Sequence, residues 1–188
     1  MRIQDVAFIA LFAAVTALLG LVPRIDLAFI PVPITAQSLG PMLAGSIIGA
    51  RRGALSQVLF LLLVAAGLPL LAGGRGGLGV FVGPSAGFLI GFPFTALAIG
   101  LLTERFWAGL NFWKSLAIHL FGGIVVIHAF GIPVFAYVGG LSLIDATIAT
   151  AVFAPGGVVK SLIAAWVTMF VKRGYPVIAP GASPAEQP

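Results

Sequence analysis

The run Ser85-Ala-Gly-Phe-Leu-Ile-Gly-Phe-Pro-Phe-Thr-Ala-Leu-Ala-Ile-Gly-Leu-Leu-Thr103 contains no charged residue. At 1.5 Å rise per residue, about 20 apolar residues cross the roughly 30 Å hydrocarbon layer of a bilayer, and this run has that length. It is typical of the chain, which is 60% hydrophobic and only 8% charged, with a mean hydropathy of +1.16. An ordinary soluble domain carries about 25% charged residues. The composition therefore specifies a membrane protein.

Working outward from this run, Pro, Gly and charge bound five others: Val6 to Val22, Ser38 to Ala50, Leu55 to Leu71, Ser115 to Val138 and Val158 to Val171. The 188 residues hold one membrane domain of about six spans and leave no room for a separate soluble domain. The expected fold is all-α, a compact six-transmembrane-helix bundle over residues 1–173, followed by a flexible Pro-rich tail over 174–188. The second and sixth runs are short for a full crossing. The first run has the outline of a signal peptide, but Asp5 interrupts its basic region and the chain behind it is itself apolar. It reads as a retained first helix.

Charge sets the orientation. With the N-terminus inside, Arg2, Arg51, Arg52, Arg105, Lys114, Lys172 and Arg173 fall at inside ends or loops, and only Arg24, Arg75 and Lys160 fall outside. That matches the positive-inside rule for six spans with both termini cytoplasmic. The net charge of +5 is thus explained by topology, and nucleic acid is discarded as a partner.

The outer segments are the unusual ones. Pro23 to Gln37 carries Pro23, Pro31 and Pro33; Ala72 to Pro84 is rich in glycine; Gly139 to Gly157 holds Asp145 and then Ala-Pro-Gly-Gly. Irregular backbone cannot face lipid, because its polar groups would go unsatisfied, so these segments are expected to be non-helical and to pack over or line a cavity. Their hydrogen-bonding and charged groups are Asp26, Thr35, Gln37, Ser38, Arg75, Ser85, Asp145 and Lys160. An excess of positive charge among apolar side chains suits a small amphipathic anion. Lys160, near the start of the last run, also gains from the expected helix N-terminus.

Small residues recur at spacing four in Gly45/Gly49/Gly53, in Gly83/Gly87/Gly91 and, on the first run, in Ala10/Ala14 or Ala13/Ala17. Such faces let backbones approach closely. The two glycine series are expected inside the bundle, and the alanine face is a candidate docking surface for another membrane subunit. The absence of cysteine excludes disulfides and thiolate chemistry. His119 and His128 stand nine residues apart, about 180° around a regular helix, so they do not share a metal. Without a Walker A sequence, a catalytic triad or a metal cluster, neither an enzyme nor a cofactor is expected.

Several separated motifs resemble the BioY family: Val32-Pro-Ile-Thr-Ala-Gln-Ser-Leu-Gly40, Arg51-Arg-Gly-Ala54, Gly67-Leu-Pro-Leu-Leu-Ala-Gly-Gly74, Gly76-Gly-Leu-Gly79, Gly83-Pro-Ser-Ala-Gly-Phe-Leu-Ile-Gly-Phe92 and Pro155-Gly-Gly-Val-Val-Lys160. Members of that family are biotin-specific S components of energy-coupling factor transporters. The resemblance implies a biotin site near the outer surface, a transmembrane coupling protein docked through small residues of the first helix (here Ala10 and Ala14), and ABC-type ATPase subunits. It also implies that Thr35, Gln37, Gly83 and Lys160 belong to the substrate site, to which charge and position add Gly74, Arg75, Ser85 and Asp145. The family's usual motif at the last helix reads Pro-Gly-Asp, two apolar residues, then Lys. Gly157 stands here at the aspartate position.

Overall fold

The computed structural model describes residues 2–27, 30–175 and 177–178. All six apolar runs are helical over most of their length, which pairs most of their backbone N–H and C=O groups internally. Helix α1 (Ile3–Leu18) ends in a short 3-10 turn at Leu21, and a hairpin follows in which β1 (Ile25–Leu27) pairs antiparallel with β2 (Ile30–Ile34). Helices α2 (Leu39–Ile48) and α3 (Ala50–Ala65) are separated by one residue. A glycine-rich connection leads to α4 (Ala86–Phe106). Helix α5 (Phe112–Leu120) passes through a π-helical turn, Phe121–Val126, into α6 (Ile127–Gly139). Then α7 (Leu143–Thr150) enters α8 (Ala154–Gly174) through a 3-10 turn.

Among the described residues, four helical stretches are long and apolar enough to cross a membrane: Ile3–Leu21, Ala86–Gly109, Phe112–Gly139 and Leu143–Gly174. Helix α2 is short for a physical reason. Gly40, Pro41, Met42, Ala44, Gly45, Ser46 and Ile48 are all buried, so it is an interior helix that meets protein on nearly every side. Its end is a sharp turn at Gly49, whose φ of 86° is left-handed and favours glycine. The Glu104 carboxylate of α4 reaches that turn and accepts the Ala50 N–H at 2.8 Å, capping the first free donor of α3.

The small residues account for the tight centre of the bundle. A methyl on Gly45 would strike the Ala96 backbone, one on Gly53 would strike Gly45, and one on Gly87 would strike the Phe130 carbonyl. The glycine series through Gly45 and Gly87 are therefore internal packing, as expected, although Gly83 has nothing close to it. On α1, Ala13 is buried and Ala17 half-buried, whereas Ala10 and Ala14 are exposed. Only the second pair is available to a partner.

Three expectations change. The hairpin makes the fold helical with a small β element, because Pro31 and Pro33 suit an edge strand and exclude a helix. The outer segments are not all non-helical: Ser142 accepts the Asp145 N–H at 3.1 Å and starts α7 inside the third one. Finally, α8 begins at Ala154 and is entered directly from a helical turn, so Lys160 lies nearly two turns in and the expected dipole contribution at its ammonium is lost. Of the tail, Val177 packs beside Phe12, Ala44 and Ile48, and Ile178 is buried; the expected flexible remainder lies outside the described residues.

Candidate functional site

The elements that depart from straight helix converge on one cavity. Val32, Thr35, Gln37 and Ser38 supply one wall, and Leu71 and Arg75 of the glycine-rich connection supply a second. Ser85, Phe88, Leu89 and Phe92 line it from the start of α4; Gly123, Ile127 and His128 line it from the π turn and α6; Phe153, Gly157 and Lys160 close it. The empty space is about 740 Å³, including the open mouth. A shallower vestibule outside it shares Arg75 and Ser85 and is also lined by Pro31, Gly74, Gly83 and Pro84.

Lys160 reaches across the cavity from α8. Its Nζ donates to the Thr35 carbonyl at 3.1 Å and to Ser38 Oγ at 2.6 Å. Both acceptors are neutral, and the ion pairs formed among the described residues, Arg24–Asp26 and Arg52–Asp5, do not involve it. Arg75 is half-buried, with Nε donating to the Ala72 carbonyl at 3.3 Å. Burial, with the Arg24 guanidinium nearby, pushes its pKa below the usual guanidinium value, though an arginine still keeps its charge. Among the described residues, two cations and no carboxylate thus line the cavity. That arrangement attracts an anion.

The apolar wall is aromatic. Phe88 meets Phe153 edge-on at 6.0 Å and His128 edge-on at 5.6 Å, and the His128 Nδ1 is 2.7 Å from the Ile124 carbonyl. His128 was not among the residues expected at the site. The π turn explains this, because each residue added to a helix rotates everything after it by about 100° and a regular-helix projection then fails. His119, by contrast, is fully buried against Ser115 and stays away from the cavity lining.

The expected site residues separate into groups. Thr35, Gln37, Arg75, Ser85, Gly157 and Lys160 line the cavity, and Gly74 and Gly83 line the vestibule. Asp145 does neither: it is exposed and takes the Ser142 hydroxyl at 2.7 Å at the start of α7, so it is not brought to Lys160 as a replacement for the missing aspartate. Asp26 pairs with Arg24 at 3.0 Å outside the cavity. Gly157 is buried, and a methyl there would lie 3.0 Å from Ile124 Cγ1.

Known proteins are similar to this chain in sequence and in fold. The chain is 49% identical to the biotin transporter BioY of Rhizobium etli over 186 residues, covering 95% of this chain and 98% of that protein. It is 42% identical to the probable biotin transporter BioY of Bacillus subtilis, covering 93% and 100%. A crystal structure of the S-component for biotin from an ECF-type ABC transporter superposes with a TM-score of 0.88 at 30% identity, covering 93% of this chain and 94% of that one. Residues 1–177 match the BioY family as a whole, and with near-complete coverage at both ends of these alignments, the chain belongs to that family.

Proposed function

We propose that this chain is the biotin-binding, substrate-specific component of an ECF-type vitamin transporter, and not an enzyme. The observation that carries the reading is the cavity itself: Lys160 and Arg75 without a carboxylate, beside an aromatic wall of Phe88, Phe153 and His128. Biotin is a carboxylate on an apolar chain joined to a compact bicyclic urea, which suits both surfaces. The names of its full-length relatives point the same way. Titration of the purified protein with biotin by calorimetry tests it, with one-to-one binding expected. Binding of another vitamin or a biotin precursor alone would keep the fold and change the solute, a reading that Gly157 favours by removing an acceptor near Lys160. Binding of none of them would leave a membrane scaffold.

In this reading the six helical runs cross a prokaryotic plasma membrane with both termini cytoplasmic. Contacts made by charged side chains support that placement. Asp5 pairs with Arg52 at 2.7 Å, Glu104 caps α3 beside Arg51, and Lys172 donates to the Trp107 and Leu110 carbonyls at 2.7 and 3.0 Å. In this reading the helix ends around Asp5, Glu104 and Trp107 face the cytoplasm, and Arg24, Arg75 and Lys160 face outward. A transmembrane coupling protein docks on the exposed Ala10/Ala14 face, and ABC-type ATPases drive uptake through it. Ala10→Leu or Ala14→Leu is expected to abolish co-purification with the coupling protein while biotin binding persists. Survival of both activities would remove that face from the interface.

A further inference from the structure

One four-residue segment holds the Lys160 ammonium directly and, through the Leu70–Ala72 backbone, the connection that carries Arg75. Thr35 and Ser38 receive the Lys160 ammonium, as described above, and Gln37 lies between them. Its Oε1 accepts the Ala72 N–H at 2.9 Å, while Nε2 donates to the Leu70 carbonyl at 2.8 Å and to the Thr16 carbonyl at 3.3 Å. Ala72 in turn takes the Arg75 Nε on its own carbonyl at 3.3 Å. The Ala72 residue is thus gripped by Gln37 at its N–H and by Arg75 at its C=O. Gln37 is 3% exposed and both of its N–H donors are used, so it borders the cavity with no donor left for a ligand.

The Arg75 connection needs such a tether. Gly73, Gly74 and Gly77 all hold positive φ, a backbone with little intrinsic preference for one shape. Lys160, in contrast, is fixed on a long helix. Gly20 of the turn after α1 makes room for the tether, since a methyl there would lie 2.5 Å from the Leu70 oxygen and 2.7 Å from Gln37 Nε2, on the hydrogen bond itself.

We propose that Gln37 is a positioning residue: by locking the Leu70–Ala72 backbone to the segment that holds Lys160, it fixes the separation of Arg75 from Lys160 and so selects the length of acid the cavity accepts. The inference rests on the biotin reading. It changes the expected role of Gln37 from substrate contact to gauge. A ligand with a fixed polar ring and a carboxylate on a chain satisfies both cations only if its length matches their spacing.

The experiment measures dissociation constants for biotin and for analogues with the acid chain one methylene shorter and one longer, in wild type, Gln37→Met and Gly20→Ala. Wild type is expected to prefer biotin by about tenfold or more over each analogue, in the range that one methylene commands in a fitted site. Both variants are expected to keep less than about a third of that preference while biotin itself binds more weakly. A merely structural role would lower thermal stability and weaken all three ligands alike, leaving the preference intact, and that result overturns the proposal. An absence of length preference in wild type also overturns it. Should Gln37→Met fail to fold, Gly20→Ala decides, because it disturbs the same bond and keeps the amide. Failure of wild type to bind biotin at all would instead defeat the functional reading on which the proposal stands.

Discussion

Lys160 and Lys172 lie on the same helix, twelve residues and about 18 Å apart, and each ammonium rests on two neutral oxygens. What differs is the company. The Lys172 Nζ donates to the carbonyls of Trp107 and Leu110 and stands 5.2 Å over the Trp107 ring. Those carbonyls follow the end of α4, where helix dipoles leave negative charge, so Lys172 completes a turn that would otherwise be unsatisfied. Lys160 holds a hairpin-to-helix segment, but it does so at the edge of open space that it shares with a second cation and with no acid. The same side chain is a structural cap at one end of α8 and an unfinished electrostatic site at the other.

Two substitutions break that comparison in opposite directions. Lys160→Ala is expected to weaken biotin binding by about 1.5 to 3 kcal/mol, the range for a hydrogen bond involving a charged group. Lys172→Ala is expected to lower stability by about 1 kcal/mol, through lost carbonyl bonds and the ring contact, while the affinity measured by calorimetry stays within twofold. Equal effects of both on binding would show that the two ends of α8 do not differ in kind. Arg75→Ala is expected to fall between them, at about 1.5 kcal/mol of affinity, because this guanidinium also opens onto the vestibule and is partly screened there.

The difference between the two ends also governs how far the sequence could be read. Helices in hydrocarbon obey one dominant constraint, so each apolar run announces itself, and the basic residues that later cluster around Asp5, Glu104 and Trp107 were legible from charge counting alone. The cavity is built from exceptions to that constraint. Thr35, Arg75, Ser85 and Lys160 could be picked out because they are polar groups in apolar, Pro- and Gly-rich surroundings. His128 and Phe153 could not, since a π turn shifts the phase of α6 and a 3-10 turn joins α7 to α8. Asp145 was misleading for a different reason: Ser142 three residues before it is a helix-start signal, and an acid in that pattern is more economically a cap than a ligand contact. Gln37 stands out in the same Pro-rich stretch as Thr35, but only the structure reveals that its amide faces the protein.

The subtlest contrast is within the last helix itself, between Lys160 and the glycine three residues before it. Helical neighbours at that spacing share a face, so an acid at position 157 would stand beside the ammonium. Gly157 is buried against the π turn, where a β-carbon would meet Ile124 Cγ1 at 3.0 Å and Cδ1 at 3.4 Å. These are tight but yielding contacts, because the isoleucine can move by a few tenths of an ångström, whereas the Gly123 carbonyl behind it stays at 3.9 Å. Gly157→Asp is therefore expected to fold, with stability lowered by about 1 kcal/mol. The added carboxylate gives the cavity an acceptor for the ring N–H groups of a cyclic urea, so biotin binding is expected to tighten by a few-fold. Severe loss of binding with the fold intact would mean that the cavity has been shaped around glycine and that its preferred solute is one without those donors.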